Sequence, residues 1–111
     1  MDIRARKETN ATVVTISGRL DAVTSPVVEK TLNEMIDGGE TRFVADLAGL
    51  DYISSAGLRV LLAIAKFLKG KGGLICFANV AGAVREVFDI SGFGTIFQMH
   101  DSVDGALCEI K

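Results

Sequence analysis

Val44-Ala45-Asp46-Leu47-Ala48-Gly49-Leu50-Asp51-Tyr52-Ile53-Ser54-Ser55-Ala56-Gly57-Leu58-Arg59-Val60-Leu61-Leu62 carries the decisive change of pattern in this chain. Before it, Phe43, Val44 and Ala45 run without polar interruption, as expected of a strand covered on both faces. Residues 48–54 read as a polar turn. From Ser55 to about Lys69, Leu58, Leu61, Leu62, Ala65 and Leu68 recur at helical spacing while Arg59, Lys66 and Lys69 fall on the other side. A hydroxyl at a helix start can cap free backbone N–H groups or present its oxygen outward in a field that favours negative charge. Local chemistry leaves Ser54 and Ser55 interchangeable in the capping role.

Upstream, Ile3–Lys7 and Thr12–Ser17 form two short strands around Thr9-Asn10-Ala11, an antiparallel hairpin whose second strand carries Val13, Val14, Thr15 and Ile16. Ser25-Pro26 suits an N-cap followed by proline at the first helical position. Val28, Leu32, Met35 and Ile36 make the apolar face of that helix, and Gly38-Gly39 a left-handed stop. Arg42–Leu47 is a central strand.

Downstream, Gly70–Gly73 breaks the long helix and Leu74–Ala78 is a further apolar strand. Ala83, Val84, Val87 and Phe88 mark a short helix ending at Ser91-Gly92. Thr95–Met99 reads as a last strand, and Asp101 or Ser102 can cap a final helix with Val103, Ala106, Leu107 and Ile110. The resulting order is ββαβαβαβα. It predicts an α/β fold with about four helices and a mixed, mostly parallel sheet, the N-terminal hairpin being its antiparallel exception.

At 111 residues with 49% hydrophobic content, the chain has the size and apolar content of one compact domain over residues 1–111. Fourteen acidic and twelve basic side chains give a net charge of −2, against the positive footprint of a nucleic-acid binder. Mean hydropathy is +0.36, yet the longest apolar stretch, Val60–Ala65, is far shorter than the roughly 20 residues of a membrane span. The N-terminal charges Asp2, Arg4, Arg6, Lys7 and Glu8 exclude a signal-peptide pattern, so a cytoplasmic protein is expected. Cys76 and Cys108 lie in apolar surroundings without metal or redox spacing, and both read as reduced core residues.

Catalytic constellations are sparse. His100 is the single histidine, and a packing or surface role suits it better than that of a catalytic base. No phosphate loop, metal-binding helix or clustered cysteine and histidine set is present. Lys66, Lys69 and Lys71 read as complement to the negative end of the long helix and as a solvated face. Asp21, Asp46 and Asp51 fall at or just beyond strand ends, where sites gather in open α/β sheets. For Asp46 and Asp51 the turn-stabilising role is preferred. Asp21 stays open between that role and an approach to the Ser54-Ser55 turn.

Four segments in order resemble the STAS-domain anti-sigma factor antagonists of bacteria, over nearly the whole chain. Ile16-Ser17-Gly18-Arg19-Leu20-Asp21 is similar to the family's Gly-x-Leu-Asp segment and Val44-Ala45-Asp46-Leu47 to its central strand. Residues Tyr52 to Leu61 resemble its phosphorylation segment, and Ala83 to Gly92 its third helix and following turn. The resemblance implies a non-catalytic module without cofactor. Such a module binds an anti-sigma factor that is also a serine kinase of the histidine-kinase-like ATPase type. Phosphorylation of one serine ends the interaction, and a serine phosphatase restores it.

Aligning on Gly57-Leu58 puts Ser55 at the phosphoacceptor position. One common family pattern is Asp-Ser-Ser-Gly, and here Ser54 stands at its aspartate and Ala56 at its second serine, leaving Ser54 the less favoured acceptor. The implied partner face is Asp21, Ser54, Ser55, Ala56, Gly57 and Arg59. Within it, Asp21 is expected to hydrogen-bond the Ser55 hydroxyl or repel its phosphate, and bare Gly57 to admit a partner closely. Other STAS modules suggest two alternatives, a guanine-nucleotide sensor and an accessory subunit of a membrane lipid transporter.

Overall fold

The structure, a computed structural model, describes residues 1–110. The elements are β1 (Asp2–Lys7), β2 (Thr12–Leu20), α1 (Ser25–Asp37), β3 (Arg42–Asp46), β4 (Leu50–Ile53), α2 (Ser55–Gly70), β5 (Leu74–Ala78), α3 (Gly82–Ile90), β6 (Gln98–His100) and α4 (Val103–Glu109). The main sheet runs β1-β2-β3-β5-β6, with β4 paired to β2 off this path. Only β1 is antiparallel to its neighbour, from Asp2↔Ser17 to Lys7↔Thr12. The remaining ladders are parallel, as short crossovers through helices require.

Side-chain alternation divides the sheet into two faces. Val14, Ile16, Phe43, Ala45, Ile75 and Phe77 pack in one cluster with the apolar stripes of α1, α2 and α3. Val13, Val44, Cys76 and Ala78 turn the other way and meet Ala106 and Ile110, so α4 covers the second face. β3 and β5 are buried on both sides, which explains their uninterrupted apolar runs. Buried Thr12 donates its hydroxyl to Glu40 at 2.6 Å, and Lys7 Nζ lies 2.9 Å from the same carboxylate. These two partners, the Thr12 hydroxyl first, hold Glu40 below the ordinary carboxylate range.

Five expectations change. The presumed turn over residues 48–54 contains β4, a strand the order ββαβαβαβα lacks; Gly49 and Asp51 gave it the composition of a loop. The last strand begins at Gln98 rather than Thr95, because Gly92 at φ +76° and a 3₁₀ turn at Phe93–Thr95 occupy the approach to it. Ser25 is the first residue of α1, not its cap; Thr24 precedes the helix, and the Ser25 hydroxyl donates to the Asp21 carbonyl. Cys108 is exposed on α4, while Cys76 is buried as expected and burial pushes its thiol up. In α2, Ile64 is buried and Leu62 and Ala65 are only half-buried, a rotation of the expected stripe.

Phe77 is fully buried, with ring centroids 5.8 Å from Phe88 and 4.7 Å from Phe97. These aromatics tie β5 to α3 and to the approach to β6. Phe77→Ala is expected to lower unfolding free energy by about 3–5 kcal/mol, read as a lower urea midpoint at unchanged denaturant slope.

Candidate functional site

The region around Ser54 and Ser55 is built by a division of labour within β2. Its first half pairs with β3, from Thr12↔Phe43 to Thr15↔Asp46. At Gly18, φ is +96° and the register shifts, and beyond it Arg19 and Leu20 pair with Tyr52 and Ile53 of β4. A side chain at Gly18 would be strained by that φ and would also come within 3.2 Å of the Met1 backbone. The Gly18 N–H donates to the Gly49 carbonyl at 2.9 Å, and the Ser54 N–H to the Leu20 carbonyl at 2.9 Å. The ladder therefore continues to the first residue before α2.

The two serines then separate. Ser54 is the N-cap, extended at φ −97° and ψ 173°, and its Oγ accepts from the Gly57 N–H at 3.3 Å. Its carbonyl accepts the first helical bond, from Leu58 N–H at 3.0 Å. Ser55 is the first helical residue and is exposed, and its hydroxyl makes no hydrogen bond among the described residues. No acidic side chain occupies the first turn of α2, so the positive helix end faces Ser55 uncompensated. Ala56 is half-buried, and Arg59 is exposed without an ion pair among the described residues.

Gly57 corrects one expectation. It is buried, and a Cβ there would lie 2.8 Å from the Leu20 carbonyl oxygen and 2.9 Å from Ile53 Cγ1. The close approach it permits is that of β2 and β4 beneath the helix, not that of a partner from outside.

Asp21 corrects another. Its Oδ1 accepts from the N–H groups of Val23 at 3.0 Å and Thr24 at 3.1 Å, with the Thr24 hydroxyl at 3.2 Å. Arg19 Nε lies 3.9 Å from Oδ2. The Thr24 N–H first, then the Val23 N–H, the Thr24 hydroxyl and Arg19, hold the carboxyl below its ordinary range against the opposing effect of desolvation. The carboxylate thus shapes the β2–α1 turn and gives no hydrogen bond to Ser55. It still sits one residue beyond Leu20, whose carbonyl anchors Ser54.

Asp46 accepts from Ala48 N–H at 3.1 Å and Asn79 Nδ2 at 2.9 Å, the turn role expected of it, and Asp51 is exposed on β4. His100 lies on β6, separated from β2 by β3 and β5; its Nε2 is out of solvent and without a hydrogen-bond partner among the described residues. Among those residues no group of three or more His, Cys, Asp and Glu can hold a metal ion. No described helix is long and apolar enough to cross a membrane.

One feature of this face went unread in the sequence. The Arg19 guanidinium lies 4.2 Å from the centre of the Tyr52 ring, and Tyr52 is 39% exposed. This cation–π pair spans the β2–β4 ladder just before the serines. The signal was the β-type pair Tyr52-Ile53, legible only once residues 50–53 are taken as a strand.

The STAS domain family model matches residues 2–106. Over 99 residues, 89% of this chain and 85% of the relative, the chain is 40% identical to the "Putative anti-sigma factor antagonist BtrV" of Bordetella bronchiseptica. It is 32% identical over 100 residues, 89% of this chain and 86% of the relative, to the anti-sigma F factor antagonist of Paenibacillus polymyxa. The crystal structure of an anti-sigma factor antagonist from Mycobacterium paratuberculosis superposes with TM-score 0.89 at 25% identity, covering 98% of this chain and 92% of that one.

Because only Ser54 serves the helix, Ser54→Ala should cost about 1 kcal/mol of stability and Ser55→Ala less than about 0.5 kcal/mol, compared by urea denaturation. The lowered Asp21 carboxyl stabilises the fold above the unfolded-state value and loses this as pH falls through the folded-state value. Asp21→Asn is therefore expected to be less stable than the parent at neutral pH, with the gap closing below about pH 4, as followed by urea midpoints across pH.

Proposed function

The chain belongs to the STAS domain family, and on that premise we propose that it is an anti-sigma factor antagonist switched at Ser55. In this reading the whole of residues 1–111 acts as one non-catalytic domain in the cytoplasm. It binds an anti-sigma factor that is also a serine kinase of the histidine-kinase-like ATPase type. That partner transfers the γ-phosphoryl group of ATP to Ser55 Oγ, the hydroxyl proton passing to a base of the kinase. The phosphorylated protein is released, and a serine phosphatase hydrolyses the ester to restore it.

The observation that carries this reading is the contrast between the serines: Ser54 Oγ is committed to Gly57 N–H, whereas Ser55 is exposed and unbonded among the described residues. A kinase reaches Ser55 without unwinding the helix. A phosphoserine carries about −1.5 to −2 charge at neutral pH, and at this position the helix end favours it. The fold is retained and the interface changes. A dianion buried against a partner without a cation costs several kcal/mol, while each ~1.4 kcal/mol weakens binding about tenfold.

The docking face assigned here comprises Asp21, Ser54, Ser55, Ala56 and Arg59, with Gly57 supporting the turn from beneath. Arg19 and Tyr52 adjoin it and enlarge it. The names of the relatives from Bordetella bronchiseptica and Paenibacillus polymyxa support the partner class.

With the cognate anti-sigma factor kinase and ATP, Ser55→Ala is expected to bind but to incorporate no phosphate, and Ser55→Asp to keep its circular dichroism spectrum while losing binding by at least about a hundredfold. Mass spectrometry and calorimetry read the two effects. Phosphate on Ser55→Ala at the parent's level would overturn the assignment of Ser55.

A further inference from the structure

The far end of α2 borders a second cleft, away from the serines. Between the C-terminal half of α2 and the beginnings of β5 and β6 lies a cleft of about 340 Å³, within the range of small-molecule pockets. Leu62, Ala65, Lys66 and Lys69 line one wall. Their spacing is i, i+3, i+4, i+7, a single helical stripe, apolar at its start and cationic at its end. Ile75 and Phe97 line the cleft as well, and Ile96, 60% exposed, stands beside them.

The charges are not those of an ordinary solvated face. α2 holds Arg59, Lys66 and Lys69 and no acidic residue, and neither Lys66 nor Lys69 forms an ion pair among the described residues. The helix dipole explains a cation at Lys69, in the last turn; Lys66 lies before it, and both line the same cleft. Lys71 is directed elsewhere, its ammonium 5.0 Å from the centre of the Phe67 ring. Phe67 lines the opposite cleft, between α1 and α2, where Glu29 and Asp37 supply carboxylates. The two sides of α2 thus have opposite electrostatic character, and only the β5–β6 side pairs an apolar wall with unpaired cations.

We propose that this cleft binds a small anionic amphipath, a molecule with an aliphatic body and one carboxylate. The body lies along Leu62, Ala65, Ile75 and Phe97, and the carboxylate reaches Lys66 and Lys69. Charge alone does not define the ligand, because an exposed lysine pair in water gains little from a bare anion. Nor does apolar area, which leaves the two ammonium groups without a partner. Along the helix axis the cleft runs from Leu62, roughly 10 Å from Ser55, to its cationic end at Lys69, roughly 21 Å away, so it shares no residue with the phosphorylation switch and stands or falls independently of it.

The test is titration of the ¹⁵N-labelled full chain with sodium decanoate, followed through amide chemical shifts, with decanol and acetate as probes of body and charge alone. Decanoate is expected to give saturable shifts at Leu62, Ala65, Ile75 and Phe97 with Kd below about 1 mM, and neither control to saturate in that range. The Lys66→Gln, Lys69→Gln double variant should bind at least about tenfold more weakly, and Lys71→Gln as well as the parent. These exposed positions leave the core untouched, and unchanged spectra elsewhere verify the fold. Absence of saturable decanoate shifts, equal binding of decanol, or undiminished affinity in the double variant would each overturn the proposal.

Discussion

The structure depends on one continuation of the sheet: the Ser54 N–H donating to the Leu20 carbonyl, directly after Leu20 pairs with Ile53. That bond fixes where α2 begins and which serine caps it. It is possible because β2 changes partners midway, leaving β3 at Thr15 and taking up β4 at Gly18, with a register shift directly after it. A residue with a side chain at Gly18 would meet both the unfavourable φ and the nearby Met1 backbone, so the change of partner is written into one glycine. Gly57 completes the arrangement, since only a bare Cα lets the helix settle onto Leu20 and Ile53.

This arrangement places a capping hydroxyl and an exposed, uncommitted one at neighbouring positions. Ser54 belongs to the fold through Gly57, whereas Ser55 has no structural duty among the described residues. A modification at Ser55 can then alter recognition while the secondary structure beneath is undisturbed. On the proposed reading this is how a small domain becomes a switch: the helix end tolerates the charge and the partner does not.

The layered α/β fold was legible because its strongest elements are strongly patterned. Phe43–Ala45 and Ile75–Ala78 are buried on both faces and show no alternation, and α1 and α2 carry wide apolar stripes. β4 was not legible. Its inward residues are Leu50 and Ile53, with Asp51 and Tyr52 exposed between them, an alternation broken by the register shift opposite Gly18. Reading the segment as a loop also hid the Arg19–Tyr52 pair, which exists only across that ladder. The roles of Asp21 and Gly57 escaped for a related reason: each depends on what lies across the chain, Thr24 and Val23 for one and Leu20 for the other. Cys108 failed differently. It lies one position beyond half-buried Leu107 on a short helix, and that step turns it to solvent.

The hairpin that opens the chain has a consequence for life at high concentration. β1 is the outer strand of the sheet, and such a strand offers unpaired backbone groups to any neighbouring copy. Five of its six residues are exposed, among them Asp2, Arg4, Arg6 and Lys7, and Arg4 pairs with Asp2 at 2.8 Å and Arg6 with Glu8 at 3.3 Å. A second molecule adding a strand there must strip water from this charged row. At the other edge β6 is three residues long, too short a template for extended pairing. The sheet is thereby guarded at both margins against growing from one molecule into the next.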